Sequence, residues 1–309
     1  MRTSKNIDVI CKKALEEYLS TPEVERSLTK LGEKFNIRRQ TLSKRFKEWG
    51  YEIVNQQNRC RLNENVFDNM VSEDQFYWLG FMYADGNISS EGNRIEMRLS
   101  INDIEHLEKF RKFLALSTKI RTGICDGHEF CHLSVRNKHL WNTLNGLGCT
   151  PRKSLTLQFP NLSLFKHKEN ILHFIRGYVD GDGCLTIYKD NDKDRTRLSL
   201  IGTESFLNSV NKLFKNKGYL RNKSTDNYKN NAFELKFSDV PSRKLARYLY
   251  ENATIYLKRK YDKFLDFCRL EEESSKRKSS KIGEPCDGNT EVISEIAKGS
   301  ETPYSVESE

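Results

Sequence analysis

Two aspartates, Asp85 and Asp182, each stand directly before a glycine at the end of a mainly apolar stretch. The stretches are WLGFMYADGNIS (78–89) and IRGYVDGDGCLT (175–186), and the two acids are 97 residues apart. Two carboxylates brought close together repel each other and need a cation to offset their charge. Mg²⁺ is a hard ion that binds carboxylate and carbonyl oxygens. The chemistry indicated is therefore a divalent-cation site to which both copies contribute.

The segments that follow the two copies also correspond, which indicates a duplicated unit. In each half the residue pattern alternates between strand-like and helical segments. These segments are 94–102, 103–114, 129–136 and 138–148 after the first copy, and 196–202, 203–214, 232–238 and 241–250 after the second. We therefore predict an α+β fold of two αββαββα halves related by pseudo-twofold symmetry.

The spacing of small residues predicts how the two copies pack. Gly80 and Ala84 are four residues apart, as are Gly177 and Gly181, so each pair lies on one face of a helix. Glycine inside a helix costs about 1 kcal/mol relative to alanine, and close helix–helix contact is a sufficient reason to tolerate it. We expect the two helices to pack in parallel, with both aspartates emerging at the same end.

The ends of these helices are also marked in the sequence. Ser72 and Gln75 form a capping-box pattern at the start of the first helix. Gly86 and Gly183 stand where a left-handed residue often ends a helix, so we predict left-handed caps there. The aspartates would then lie at the negative ends of the helix dipoles, where a carboxylate is disfavoured without a cation.

The stretches WLGFMYADG and IRGYVDGDG resemble the two motifs of a double-motif LAGLIDADG homing endonuclease. The resemblance covers residues 72–270. It implies two saddle-shaped sheets on the DNA major groove, and double-strand cleavage of a long, nearly non-palindromic site that leaves short 3′ overhangs. It also implies about two or three divalent ions, expected to be Mg²⁺, at the helix seam. By motif position Asp85 and Asp182 would be catalytic metal ligands, with the main-chain carbonyls of Ala84 and Gly181 as further contacts.

The resemblance further implies a basic side chain near each scissile phosphate. In the family such lysines follow the helix that ends each half, and the matching stretches are CTPRKSL (149–155) and IYLKRKYDKF (255–264). We assign Lys153 in the first half and Lys258 in the second half to this catalytic role. A solvated lysine or a nonspecific phosphate contact is the alternative at both positions.

Basic residues elsewhere suggest DNA binding. The segment 27–50 has two helical patterns separated at Asn36, which is typical of a helix-turn-helix. Its second helix would present side chains suited to base edges and phosphates: Arg38, Arg39, Gln40, Ser43 and Lys44. A small helical bundle with a solvated basic face is the alternative. On the predicted sheets, arginines alternate with apolar residues, as on a DNA-facing or a solvent-facing surface: Arg94, Arg98, Arg195 and Arg197.

Composition separates the ends of the chain from its middle. We predict a helix-turn-helix domain (1–50), a linker (51–71), a first half (72–160), a second half (161–273) and a disordered tail (274–309). The 309-residue chain has a net charge of +9, and its tail has five basic and seven acidic residues, which leaves +11 on residues 1–273. The positive charge of the predicted folded part fits double-stranded DNA as the partner.

Several protein classes are excluded by the same data. There is no apolar run near the roughly 20 residues needed to cross a bilayer, which argues against a membrane protein. The eight cysteines form no CxxC pair, so a zinc site or disulfide framework is not expected. The first residues resemble no signal peptide, and we expect a cytoplasmic protein, encoded by a bacterium or phage. We expect a monomer without an obligate protein partner.

Three functions fit this pattern. The first is a site-specific DNA endonuclease whose helix-turn-helix extends recognition. The second is a non-cleaving transcription regulator on the same scaffold, and the third is an RNA-splicing maturase. Both motif acids are present, and a pure binder gains little from paired carboxylates that repel phosphate. This favours cleavage.

Overall fold

The computed structural model describes residues 4–22, 25–53, 61–223 and 232–279, which form two compact units. The first unit consists of residues up to Asn63 together with Leu114–Lys119. The second consists of Glu64–Phe113 and the described residues from Ile120 onward. None of the helices in these ranges is long and apolar enough to span a membrane.

The first unit contains three helices: α1 (Ser4–Ser20), α2 (Leu28–Phe35) and α3 (Arg39–Glu48). Ser27 caps α2, because its side chain accepts a hydrogen bond from the main-chain N–H of Lys30. Asn36 has a left-handed conformation with φ of 51°, and it separates α2 from α3 at the position where the sequence predicts a break. Buried residues from all three helices, among them Tyr18 and Phe46, form one core.

The second unit contains two halves with the same order of elements. The first half has α4 (Glu73–Ala84), β1 (Gly86–Ile88), β2 (Arg94–Ser100), α5 (Ile104–Phe113), β3 (Arg121–Cys125), β4 (His128–Arg136) and α6 (Lys138–Gly146). The second half has α7 (Lys168–Asp182), β5 (Gly183–Asp190), β6 (Lys193–Gly202), α8 (Glu204–Leu213), β7 (Tyr219–Asn222), β8 (Phe233–Ser238) and α9 (Val240–Tyr250). A further helix, α10 (Lys258–Ser279), follows. The predicted αββαββα order is confirmed.

Each half forms a four-stranded antiparallel sheet, with the orders β1-β2-β4-β3 and β5-β6-β8-β7. Alternation along the strands explains which face is covered. In β2, Ile95, Met97 and Leu99 are buried, whereas the residues between them are more exposed. Since successive side chains point to opposite faces, each sheet packs its apolar face inward and leaves a polar face free.

Composition misleads at two places in the described chain. Val66, Phe67 and Met70 are buried, although the predicted linker 51–71 includes them, because its many Asn and Gln residues conceal this apolar cluster. Helix α10 continues through residues 274–279, the first six of the predicted tail, where lysine and arginine are good helix formers. The remainder of the predicted tail (280–309) and residues 54–60 of the predicted linker lie outside the described residues.

Candidate functional site

Helices α4 and α7 pack against each other so closely that their glycines touch the opposite main chain. A Cβ atom on Gly80 would overlap the carbonyl oxygen of Phe174, and one on Gly177 would overlap the carbonyl oxygen of Tyr77. Gly80 lies between Phe174 and Tyr178, and Gly181, four residues after Gly177, meets Ala84, four residues after Gly80, so the helices run parallel, as predicted. This seam requires glycine at both positions, because any side chain would force the helices apart.

The two motif acids lie together where the seam ends. Gly181 packs against Ala84, and a Cβ on Gly181 would be 3.2 Å from the Oδ2 atom of Asp85. Asp182 follows Gly181 directly and ends α7. Burial raises the pKa of both carboxyls, and the nearby charge of Asp182 helps to raise the pKa of Asp85 to about 6. The seam thus brings two acids together at its end, where Asp85 is half-buried and Asp182 remains exposed to solvent.

The glycine after each acid has a different role from the predicted one. Gly183 has a φ of −97°, and neither it nor Gly86 is left-handed, so the predicted left-handed caps are wrong. Each glycine instead begins a strand directly after the helix. A Cβ on Gly86 would be 2.6 Å from the carbonyl oxygen of Met82, and one on Gly183 would be 2.5 Å from that of Val179. Close approach to the preceding helical turn therefore explains both glycines.

Lys153 reaches the acids from the first half. It lies in a short 3₁₀ turn, Lys153–Leu155, and its Nζ donates hydrogen bonds to the carbonyl oxygens of Ala84 at 2.9 Å and Gly86 at 2.5 Å. Burial lowers the pKa of this lysine, while the charges of Asp182 and Asp85 oppose that effect. The structure places Lys153 beside the acids, as its sequence assignment requires. The carbonyl of Ala84, predicted as a metal contact, is bonded to this ammonium group.

In the second half, the lysine beside the acids is Lys260. Its Nζ donates to the carbonyl oxygen of Gly183, the residue after Asp182, just as Lys153 donates to the residue after Asp85. Lys260 is 6% exposed, and burial lowers its pKa, with the charge of Arg259 adding to the effect. Lys258, the residue assigned from the sequence, is an exposed side chain paired with Asp262 at 3.0 Å. The structure therefore replaces Lys258 by Lys260 at this position.

A signal for Lys260 was present in the sequence. The buried residues of the last segment are Leu257, Lys260, Phe264 and Phe267, which recur at helical spacing. Lys260 belongs to this buried stripe, whereas Lys258 lies off it. The position of the motif indicates Lys258, whereas the helical phase of the buried residues indicates Lys260.

The donor set at the acids fits a hard divalent cation. Asp85 and Asp182 supply carboxylate oxygens, and a dication would offset the repulsion between these two neighbouring charges. Among the described residues, no group of three or more His, Cys, Asp or Glu side chains is arranged to hold a metal. Two carboxylates with water and phosphate oxygens suit Mg²⁺, which binds few protein ligands and keeps several waters.

A cleft of about 660 Å³ opens beside Asp85. Its lining includes Gly181 of the seam, Arg98 of β2 and Arg259 of α10. The Nε atom of Arg259 lies 3.1 Å from the carboxylate of Asp103, which bridges the two halves at the wall of the cleft. Asp85 is therefore reached from a cleft whose wall contains these two arginines and three further acids, Asp103, Asp126 and Glu129.

The chain is similar to several solved structures. No family model and no curated protein sequence matches. Among solved structures, the chain is similar to the I-LtrWI LAGLIDADG homing endonuclease bound to target DNA, with 13% identity, a TM-score of 0.46, and coverage of 76% of this chain and 97% of that one. It is also similar to the LAGLIDADG meganuclease I-AabMI bound to uncleaved DNA, with 14% identity, a TM-score of 0.46 and coverage of 74% and 97%. A third is meganuclease I-SmaMI bound to uncleavable DNA, with 10% identity, a TM-score of 0.45 and coverage of 72% and 95%.

The predicted sheet arginines have different surroundings. Arg98 stacks over Phe130 at 3.6 Å, and Arg197 lies over Tyr188 at 4.5 Å. In contrast, Arg94 forms an ion pair with Glu96 at 3.1 Å, and Arg195 forms one with Asp239 at 3.0 Å. Stacking leaves a guanidinium able to donate hydrogen bonds in its plane, whereas an ion pair uses that capacity. Arg98 and Arg197 thus keep more of their donor capacity than Arg94 and Arg195 do.

In the first unit, the predicted recognition residues gather at the start of α3. Arg38, Arg39 and Gln40 are exposed there. Ser43 is half-buried, and Lys44 is exposed with Glu48 as a neighbour at 3.9 Å. Exposed residues at the start of the second helix are the ones that contact base edges in a helix-turn-helix.

Proposed function

We propose that this chain is a LAGLIDADG homing endonuclease that cuts both strands of a long DNA site with the help of divalent metal ions. The observation that carries the proposal is the end of the seam, where Asp85 and Asp182 lie together and each half adds a lysine that donates to the carbonyl oxygen of the residue after its acid. The paired motifs resemble that family, and the polar faces of two sheets supply a surface for a duplex.

Asp85 and Asp182 would hold the ions, which when bound offset the charge of the scissile phosphate and lower the pKa of the attacking water. The chain's own residues have separate tasks. The seam keeps the two carboxylates at a fixed separation, since the glycine contacts leave no room for the helices to shift. Lys153 and Lys260 would stabilise the phosphate charge that develops next to each acid. Arg98 and Arg197 would hold the duplex across the sheets.

The test begins with the full chain and the DNA that flanks its gene, joined across the point of insertion. We expect double-strand cuts in Mg²⁺ and none in EDTA. Asp85→Asn and Asp182→Asn should each abolish double-strand cutting while retaining target affinity within about threefold. Asp262→Asn, which removes an exposed carboxylate from α10, is the matched control and should cut as the wild type does.

Other outcomes would point elsewhere. Tight, specific binding to this DNA without any cutting in Mg²⁺ would reject the endonuclease in favour of a regulator. Preferential binding to structured intron RNA would favour a maturase. The two acids argue against a pure binder, because at physiological pH their charge would repel the phosphates that such a binder must hold.

The start of α3 supports an additional role for the first unit in DNA recognition. Arg39 and Gln40 are exposed side chains of the types that pair with guanine and adenine. We expect Arg39→Ala and Gln40→Ala to weaken target binding about tenfold each without changing the cutting rate at saturation. Lys30→Ala, an exposed change on α2, is the control, and equal effects from all three variants would contradict base recognition by α3.

A further inference from the structure

The segment 254–257, the last part of the connection from α9 to α10, is held by side chains from the two seam helices. The Oε1 atom of Glu73, at the start of α4, accepts hydrogen bonds from the main-chain N–H groups of Thr254 at 2.9 Å and Ile255 at 3.4 Å. The Nε atom of Arg176, in α7, donates to the carbonyl oxygen of Ile255 at 3.0 Å. These bonds give an irregular segment the fixed main-chain partners that it cannot find in a helix or sheet.

Asp180 completes this attachment from a fully buried position in α7. Its Oδ2 atom accepts from the main-chain N–H of Leu257 at 2.7 Å. The hydroxyls of Tyr77 and Tyr250 also donate to its carboxylate, at 2.7 and 2.6 Å. All three partners are donors, so the carboxylate is held by a complete set of bonds and has little freedom to move.

Glu73 and Arg176 also hold each other, and Arg176 holds the end of α9. Arg176 is 2% exposed, and its Nη2 atom bonds Glu73 at 2.5 Å. Its Nη1 atom donates to the carbonyl oxygen of Leu249, in the last turn of α9, at 3.0 Å. Removing one partner of this pair leaves the other charge uncompensated, so Glu73 and Arg176 act as one unit.

Leu257 is the residue from which α10 begins. Its carbonyl oxygen accepts from the main-chain N–H groups of Lys260 at 2.9 Å and Tyr261 at 3.1 Å, which forms the first turn. Lys260 is in that turn, and its ammonium group bonds Gly183 beside Asp182. A shift of Leu257 would therefore move Lys260 relative to the acid. Asp180 and Asp182 are on the same helix. Helix α7 therefore carries both the motif acid and the side chain that fixes Leu257, from which the turn with Lys260 begins.

We propose that Glu73, Arg176 and Asp180 are positioning residues that hold Lys260 at the reacting end of the seam by fixing the segment 254–257. The inference rests on the proposed function for its catalytic meaning, but the placement of Lys260 is testable without DNA. It also assigns a task to the sixth motif position, because Asp180 and, 97 residues earlier, Tyr83 occupy that position in the two copies.

The first test measures how well Lys260 is shielded in the full-length protein. Lysines are acetylated with a limiting amount of N-hydroxysuccinimidyl acetate at pH 8, and the extent at each lysine is read by mass spectrometry. In Glu73→Ala we expect Lys260 to react at least fivefold faster than in wild type, while Lys153 is unchanged. In Glu73→Gln, which keeps an acceptor oxygen for the two N–H groups, Lys260 should react at a rate between those of wild type and Glu73→Ala.

Asp74→Ala is the matched control, because it removes the neighbouring acid, an exposed residue in the same helical turn. It should leave Lys260 as protected as in wild type. An unchanged Lys260 in Glu73→Ala would overturn the inference. A parallel rise at Lys153 and Lys260 would also overturn it, since that result indicates a general loosening of the fold. Thermal unfolding of each variant identifies any global effect.

The second test follows the two DNA strands separately with end-labelled target. Lys260→Met and Lys153→Met identify the strand served by each lysine. Glu73→Gln and Asp180→Asn should slow the Lys260-dependent strand at least tenfold, leave the other strand within twofold, and therefore accumulate nicked product. Equal slowing of both strands would overturn the positioning role. If the wild type cuts neither strand, the endonuclease proposal fails, and the acetylation result still decides whether these residues place Lys260.

Discussion

The two halves of the repeat share their main-chain arrangement but differ in how they hold the lysine beside the acid. In the second half, Asp180 and its partners fix the segment that leads to Lys260. In the first half, the same motif position is Tyr83, whose hydroxyl donates one hydrogen bond of 2.5 Å to the carbonyl oxygen of Leu147, six residues before Lys153. The seam contacts, by contrast, are nearly the same on both sides.

This difference between Asp180 and Tyr83 indicates which positions of a duplicated fold can change in one half alone. Gly80 and Gly177 face the opposite main chain, where no side chain fits, so neither half can change without moving both helices. The side chain at the sixth motif position anchors a segment of its own half and also touches the opposite half, since Asp180 accepts from Tyr77 and Tyr83 packs against Phe174. There a tyrosine that donates to a carbonyl and an aspartate that accepts from an N–H both anchor the chain. The two halves therefore have the same glycine contacts at the seam but differ in the side chains around it.

The largest effect is expected at the seam, where the halves should respond equally. Gly80→Ala and Gly177→Ala each place a Cβ on a main-chain carbonyl, and each should lower the free energy of unfolding by about 3 kcal/mol. The double variant should cost less than the sum, because one shift of the helices relieves both overlaps. Denaturant titration measures these values. Gly146→Ala, where an added Cβ meets open space, is the control. Strictly additive or very unequal costs would contradict a shared seam.

The lysines should show that the halves act on different strands. We expect Lys260→Met and Lys153→Met each to slow one strand about 100-fold, with opposite strands affected, as for the loss of one charge-stabilising donor. Lys258→Met should leave both rates within twofold of wild type, because this side chain is exposed and paired with Asp262. Rates are read from end-labelled DNA in single-turnover reactions. A strong effect of Lys258→Met would restore the assignment based on motif position.

A buried histidine distinguishes the halves in their response to acid. His106 and Phe206 are each the third residue of their helices, α5 and α8. The Nε2 atom of His106 lies 2.9 Å from the hydroxyl of Tyr77, and no partner for its Nδ1 atom is found among the described residues. Burial, with the charges of Lys109 and Arg259, lowers the pKa of His106 to about 3. The neutral ring is therefore the folded form.

The sign of the pH effect follows from this lowered pKa. Below about pH 6.5 the unfolded chain binds a proton at His106 that the folded chain excludes, so stability is complete above this pH and falls as the pH decreases. At pH 5 the loss is about 2 kcal/mol. We expect His106→Phe, which copies the second half, to lose about 2 kcal/mol less than wild type between pH 7.5 and pH 5 in urea denaturation. An identical loss in both proteins would exclude His106 as the source.

The smallest effect is expected at the single anchor of the first half. Tyr83→Phe removes one hydroxyl and its hydrogen bond to Leu147, which is worth about 1 kcal/mol. The Lys153-dependent strand should slow about fivefold, and the other strand should keep its rate. The cutting rate of each DNA strand is measured. Tyr178→Phe, which removes a hydroxyl hydrogen-bonded to the carbonyl oxygen of Ile201 at 2.7 Å, is the control. A loss as large as that of Asp180→Asn would show that the first half depends on its anchor just as strongly.

Much of the site follows from local pattern. The four-residue spacing of Gly80 with Ala84 and of Gly177 with Gly181 predicts a close parallel seam, and the seam brings Asp85 and Asp182 to one end. Lys153 is also beside the acids, as its sequence position suggests. Motif position alone favours Lys258, whereas the helical phase of the buried residues Leu257, Phe264 and Phe267 favours Lys260.

The repeat, the alternation of its strands and the pairing of its motif acids follow from local spacing in the sequence, because spacings of a few residues dictate which face is buried. Tertiary structure alone decided the partners of Arg176 and Glu73. These two side chains are 103 residues apart, and Glu73 and Thr254 are 181 residues apart. Such contacts depend on how four segments meet in space, and burial then makes them obligatory, since an unpaired charge would be costly in the interior.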